Sequence, residues 1–166
     1  MLAIGACYGW LHQAWRYQGG AIQDNGVISY PRFSATFAPI PFDRAGSRTY
    51  EFSRYPADQA VVFLKMGSPQ RADALEPLTT RMTVSVRDRR GFRCQATGYP
   101  AGRSDEQAFV TASPVYATGI WLLGCNPVSV AGCNPCTLSV EISDVDPRTP
   151  RLDLIPSLEG GGIELP

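Results

Sequence analysis

The chain has 166 residues, among them 16 glycines and 14 prolines, and 44% of its residues are hydrophobic against 18% charged. A chain of this length buries roughly 69% of its unfolded surface on folding, enough for one self-sufficient core, while so many turn formers disfavour long helices. Fifteen basic side chains balance fifteen acidic ones, which leaves no net field to gather nucleic acid, and the single histidine, His12, leaves the body of the chain without a histidine base.

Residues 1–17 form an apolar N-terminal segment, and residues 1–15 contain no Asp, Glu, Lys or Arg. Ile4, Tyr8, Leu11 and Trp15 recur at helical spacing, which predicts a short apolar helix packed on its own domain, on a partner or at a membrane. Fifteen helical residues rise about 22 Å, short of the roughly 30 Å hydrocarbon core, and no basic stretch precedes them as in a secretion signal. Trp10, Trp15, Arg16 and Tyr17 nevertheless resemble the aromatic and cationic belt at the end of a membrane span, so the segment is expected to be the distal part of an anchor whose true start lies upstream of Met1. Ile4-Gly5-Ala6-Cys7 resembles a bacterial lipoprotein cleavage site, which makes Cys7 a lipidation candidate, although the charged and apolar stretches that should precede such a site are missing. The pattern does not separate a protein partner from a bilayer.

Residues 18–25 (QGGAIQDN) read as a linker, and a single domain is expected over residues 26–166. Residues 27–30 and 33–37 are the first strand candidates. Pro39 and Pro41, flanking Ile40, would interrupt a central ladder, so that stretch is expected at an edge or in a crossover between sheets. Residues 49–55, with Tyr50 and Phe52 on one face, form the next candidate, and residues 60–66 (AVVFLKM) are apolar enough for a central strand. Residues 66–77 hold at most one helical turn. The clearest strand is 81–87 (RMTVSVR), where Met82, Val84 and Val86 alternate with polar residues. A turn at 88–91 then leads into a return strand with Phe92, Cys94 and Ala96 inward.

Residues 98–114 are the longest candidate loop, 119–123 (GIWLL) a second central strand, and 136–143 (CTLSVEIS) a strand with Leu138, Val140 and Ile142 inward. A further strand is expected over 151–155, and Leu158, Ile163 and Leu165 around a Gly-rich bend suggest a last short one. Eight or nine strands joined by turns predict an all-β fold, an antiparallel two-sheet sandwich of jelly-roll or Ig-like type, preceded by the short apolar helix.

Cys94, Cys125, Cys133 and Cys136 are disulfide candidates that permit three complete pairings. If 119–125 and 136–143 are the arms of one hairpin, Cys125 faces Cys136 at its neck and Cys133 reaches Cys94. Cys133-Asn134-Pro135-Cys136 has redox-active spacing, but a strand rather than a helix N-terminus follows it. A single C-x-x-C pair gives no zinc knuckle set, and no metal or other cofactor is expected. Free buried thiols are the competing reading, with Cys94 acting as a small hydrophobe.

Arg87, Arg89, Arg90 and Arg93 surround one hairpin tip and are anion-binding candidates, set against a plain solvated hairpin in a chain where Lys65 is the only lysine. Asp144, Asp146 and Asp153 concentrate carboxylates that suit either turns or calcium, and Asp105-Glu106 lies in the long loop. Tyr50, Tyr55, Tyr99, Tyr116 and Trp121 offer rings for a sugar platform or for the core.

No set of residues has a catalytic spacing. The expected function is a non-enzymatic, extracytoplasmic binding or assembly module in the periplasm or cell envelope, membrane-tethered through residues 1–17 or part of an envelope complex, with a protein partner or a homo-oligomer and no nucleic acid. The alternatives are a carbohydrate-binding module or small enzyme using Asp105, Glu106, Asp144 and Asp146, and a structural subunit of a multimeric assembly.

Overall fold

Alternating apolar and polar side chains pack stably only if the apolar face of each strand meets another sheet, and the chain does this with two antiparallel sheets. The structure is a computed structural model, and it describes residues 15–17, 20–24, 33–55, 57–101, 109–111 and 115–160. In chain order the elements are β1 (Trp15–Tyr17), β2 (Gly20–Asp24), β3 (Phe33–Phe37), β4 (Ile40–Pro41), β5 (Gly46–Phe52) and β6 (Gln59–Arg71). The helical turn α1 (Ala72–Leu75) precedes β7 (Arg81–Asp88), β8 (Gly91–Gly98), β9 (Phe109–Thr111) and β10 (Tyr116–Leu122). A 3-10 turn (Leu123–Cys125), β11 (Val128–Ser129), β12 (Cys136–Ser143) and β13 (Asp153–Gly160) complete the described chain.

The larger sheet has the order β1-β2-β3-β13-β6-β10-β9, with β11 also on β6 and β4 also on β13. The smaller has the order β5-β12-β7-β8. One buried cluster joins them, with Val62, Leu64, Ile120, Leu154 and Leu158 from the first sheet and Phe52, Met82, Val84, Leu138, Val140 and Ile142 from the second. Removing each of the larger aliphatic side chains from water contributes about 1.5–3 kcal/mol.

Two features of the N-terminal region differ from the sequence reading. Trp15–Tyr17 is an extended strand paired with β2, with Trp15 opposite Ile22 and Tyr17 opposite Gly20, where the end of a helix was expected. The apolar spacing that predicted the helix does not extend into the polar, Gly-containing stretch after Tyr17, and there sheet pairing satisfies the backbone. The expected linker contains β2, which continues the sheet by pairing with β3 from Asp24–Phe33 to Gly20–Phe37. Residues 1–14 and the strand candidate 27–30 lie outside the described residues.

Prolines fall where the ladders allow them. Ile40–Pro41 is a two-residue pairing with β13, after which the chain crosses into the smaller sheet. Pro156 sits inside β13, beyond the pairing with β4 at Asp153 and Leu154 and before the pairing with β3 at Ser157. A missing N–H costs least in that gap.

The larger sheet also brings backbones close at β10. The register against β6 shifts between Ala117 and Gly119, and the Phe63 ring lies across Gly119 and meets Trp121 at an interplanar angle of 53° with centroids 4.9 Å apart. Alternation puts Phe63 and Trp121 on the face of this sheet turned away from the core, so Trp121 is a partner of Phe63 outside the main cluster. A Cβ at position 119 would overlap the Phe63 ring and lie 2.8 Å from the Leu64 carbonyl, whereas one at Gly46 would meet nothing within 4 Å. Gly119→Ala is therefore expected to cost about 1–3 kcal/mol through overpacking, and Gly46→Ala less than about 0.5 kcal/mol. Urea unfolding of the two variants beside the wild type checks this, with equal midpoints for both variants contradicting the close approach.

Candidate functional site

The four arginines at the β7–β8 tip have different employments. Asp88 turns its carboxylate back into the hairpin, accepting from the backbone N–H of Arg90 at 2.7 Å and of Gly91 at 3.2 Å. Arg93 donates to the same carboxylate through Nε at 3.1 Å and Nη2 at 2.8 Å, and its Nη1 reaches the carbonyls of Ser129 and Ala131 at 3.2 and 2.9 Å. The backbone N–H of Arg90, together with the Arg93 guanidinium, holds the Asp88 carboxyl below its ordinary pKa. Arg93 thus ties β8 of the smaller sheet to the segment around β11 of the larger one. Arg87 lies over the Phe92 ring at 4.9 Å, while Arg89 and Arg90 are exposed at the turn.

A bulge at Arg93 explains the local pairing. Cys94 lies opposite Val86 but Phe92 lies opposite Arg87, so Arg93 is the extra residue. One extra residue reverses the facing of what precedes it. Phe92, expected inward beside Cys94 and Ala96, instead stands 59% exposed on the outer face with Arg87. Leu123 is a second exposed apolar residue, at 46%, and each lies two residues from one half of the same disulfide.

The body cysteines are joined as Cys94–Cys125 and Cys133–Cys136, with Cα separations of 5.6 and 4.9 Å. This corrects the pairing of Cys125 with Cys136 and of Cys133 with Cys94. The hairpin on which that pairing depended does not form, because β10 enters the larger sheet and β12 the smaller. Cys125 ends the 3-10 turn that faces β8, and Cys133–Cys136 closes the short turn leading into β12. Between the two bridges, Asn126 completes the edge of β6: its Oδ1 accepts from Val62 N–H at 2.9 Å and its Nδ2 donates to the Val62 carbonyl at 3.3 Å. The Asn126–Pro127 and Asn134–Pro135 peptide bonds are cis. Nothing in the sequence pattern distinguished Asn126 from the other asparagine that precedes a proline.

The acidic cluster after β12 also proves internal. Asp146 is 4% exposed at its side chain. Its Oδ2 accepts from Thr79 N–H and Oγ1, both at 3.1 Å, and from Arg148 Nη2 at 2.7 Å. Its Oδ1 accepts from Arg148 N–H at 2.9 Å and Nε at 3.0 Å. The Thr80 and Thr149 hydroxyls bond to one another beside it, and Arg148 also reaches the Pro77 carbonyl at 2.8 Å. The Arg148 guanidinium is the main cause that holds the Asp146 carboxyl far below its ordinary pKa. The hub binds the turn before β7 to the turn after β12. Asp144 is exposed at a positive φ of 47° and Asp153 is exposed on β13; Asp105 and Glu106 lie outside the described residues. Among the described residues no group of three His, Cys, Asp or Glu side chains is placed to hold a metal ion.

The aromatic candidates divide in the same way. The Tyr50 hydroxyl donates to the Ala38 carbonyl at 2.7 Å, and that of Tyr55 to the Phe33 and Leu158 carbonyls at 2.8 and 3.2 Å. Burial pushes the Tyr50 phenol up. Tyr99 is half-buried, while Tyr116 is 59% exposed beside Val115 at 64%. Of the interface candidates in the N-terminal segment, Trp15 and Tyr17 belong to β1, and Ile4, Tyr8, Trp10, Leu11 and the lipidation candidate Cys7 lie outside the described residues. No described helix is long and apolar enough to cross a membrane. Comparison with protein-family models, with curated proteins and with solved structures finds no match for the chain.

Two predictions follow from these bonds. Cys94–Cys125 spans 31 positions and Cys133–Cys136 spans 3, so chain entropy assigns them about 4 and about 2 kcal/mol respectively. Replacing each pair by alanine and comparing guanidinium unfolding without reductant should show the longer loop costing about twice as much. Asp146 carries a depressed folded pKa, so its contribution is present above the unfolded carboxylate value of about 3.9 and is lost as pH falls through the folded value. The stability gap between wild type and Asp146→Asn should be constant from pH 5 to 8 and shrink below about pH 4; a gap unchanged at low pH would contradict the ion pair.

Proposed function

We propose that the chain is the jelly-roll module of a multimeric assembly, acting without catalysis by contact between copies of itself. The observation that carries this reading is the strand order. The central four strands of the larger sheet run β3-β13-β6-β10 opposite β5-β12-β7-β8, so the last two strands of the described chain each enter the middle of a different sheet. Eight strands interleaved in two antiparallel sheets fit a jelly roll better than the Ig arrangement, whose sheets group as ABED and CFG.

Jelly rolls serve as shell-building subunits and as lectin domains, and this step is an analogy of fold. The surface favours assembly over sugar binding. Tyr50, Tyr55 and Asp146, which a glycan or calcium site would use, spend their polar atoms on the protein itself, whereas Phe92, Val115, Tyr116 and Leu123 present apolar surface to the outside. Two disulfides support an oxidising, extracytoplasmic setting such as the periplasm or cell envelope. A membrane tether through residues 1–17 remains part of this proposal.

Sedimentation of the full chain over a range of concentrations tests the reading. Reversible association above the monomer is expected, weakened at least tenfold by the pair Phe92→Ser and Leu123→Ser with the fold intact by circular dichroism. A monomer at every concentration that binds a glycan saturably would replace this reading with the carbohydrate-binding one.

A further inference from the structure

The two disulfides differ in access. Cys133 and Cys136 are 2% and 0% exposed. Cys94 is half-buried, Cys125 is 7% exposed, and both line an open surface cavity of about 270 Å³ between β8 and the segment that leads into β11. Arg93, Gln95, Asn126 and Ser129 contribute to the same wall. A cavity of that size admits a small thiol, since one water occupies about 30 Å³ of liquid volume.

We propose that Cys94–Cys125 is a thiol–disulfide exchange site for small thiols and dithiols of the glutathione or dithiothreitol class, while Cys133–Cys136 is inert in the folded protein. Exchange needs an attacking thiolate, an accessible sulfur and a leaving group stabilised as thiolate. Cys94, the less buried residue of the pair, supplies the sulfur attacked. A bond forms between the reagent sulfur and Cys94 Sγ, the Cys94–Cys125 bond breaks, and Cys125 leaves as a thiolate into the open cavity that both cysteines line, where solvent stabilises it. The second thiol of a dithiol then attacks the mixed disulfide at the reagent sulfur and releases Cys94 as a thiolate. The two electrons come from the dithiol, which ends as its own disulfide.

The cross-link is not the sole tie on this flank. Arg93 holds the Ser129 and Ala131 carbonyls independently of it, and Asn126 holds Val62. Exchange can therefore proceed with both sheets in place, which distinguishes it from reduction through unfolding.

The test uses the full chain with its bridges intact, exposed at pH 8 to dithiothreitol, quenched with an alkylating reagent at intervals and mapped by peptide mass, with circular dichroism recorded in parallel. Cys94 and Cys125 should be labelled at least tenfold faster than Cys133 and Cys136, with no change in the dichroism spectrum. With reduced glutathione alone in place of dithiothreitol and an early quench, the first mixed disulfide should appear on Cys94 rather than Cys125. Equal labelling of all four cysteines, labelling only alongside loss of structure, faster labelling of Cys133 and Cys136, or free thiols at Cys94 and Cys125 before any reductant is added would each overturn the proposal, and glutathione on Cys125 would overturn the assigned direction of attack.

Discussion

The fold depends on the last two strands of the described chain reaching the middle of their sheets. β12 separates β5 from β7, and β13 separates β3 from β6. Without β13, β6 loses the neighbour that pairs with it along one side from Ala60 to Met66, and β3 loses its neighbour toward the middle of the sheet. Without β12 the strand β5 has no partner among the described residues of its sheet. Segments far apart in sequence must therefore be correctly placed before either sheet can bury its apolar face, and the loop closure needed for that precedes most of the hydrophobic return.

The flank where β8 and β11 approach each other shows how polar chemistry can close a sandwich. Apolar packing between sheet faces does not satisfy the N–H and C=O groups at the strand edges. Here a bulge re-aims Arg93, Asp88 orients it, and its far end caps the carbonyls of Ser129 and Ala131. Asn126 provides the edge of β6 with a side-chain substitute for a ladder, and Cys94–Cys125 makes the closure covalent. The arginine that a sequence reading groups with its neighbours as a ligand site is the one most fully used within the protein.

The same economy governs the carboxylates and phenols. Among the described residues no buried side-chain nitrogen or oxygen lacks a hydrogen-bond partner. Asp146, Thr80, Thr149, Tyr50 and Tyr55 meet that requirement by joining turns and strand ends across the sandwich. The surface that is left combines exposed arginines with apolar residues such as Phe92 and Leu123, a composition suited to contact with another protein surface.

The period of the side chains by itself determined the class of fold. Residues 136–143 and 81–87 read as strands because one-in, one-out alternation is a local property of the pleat, and β12 and β7 follow those limits closely. Proline at positions 39 and 41 correctly marked the crossover between sheets. Beyond the β7–β8 hairpin, which the turn at 88–91 announced, tertiary structure alone decided which strands are neighbours, and with that the cysteine pairing, since Cys125 follows a strand of one sheet and Cys136 opens a strand of the other despite their closeness in sequence. It also decided the outward turn of Phe92, because a single bulged residue opposite β7 inverts a parity that the sequence cannot locate. The Asp146 hub and the Asn126 bridge were illegible for the same reason: a lone polar side chain acquires its role from a partner about 65 positions away, brought there by the sheets.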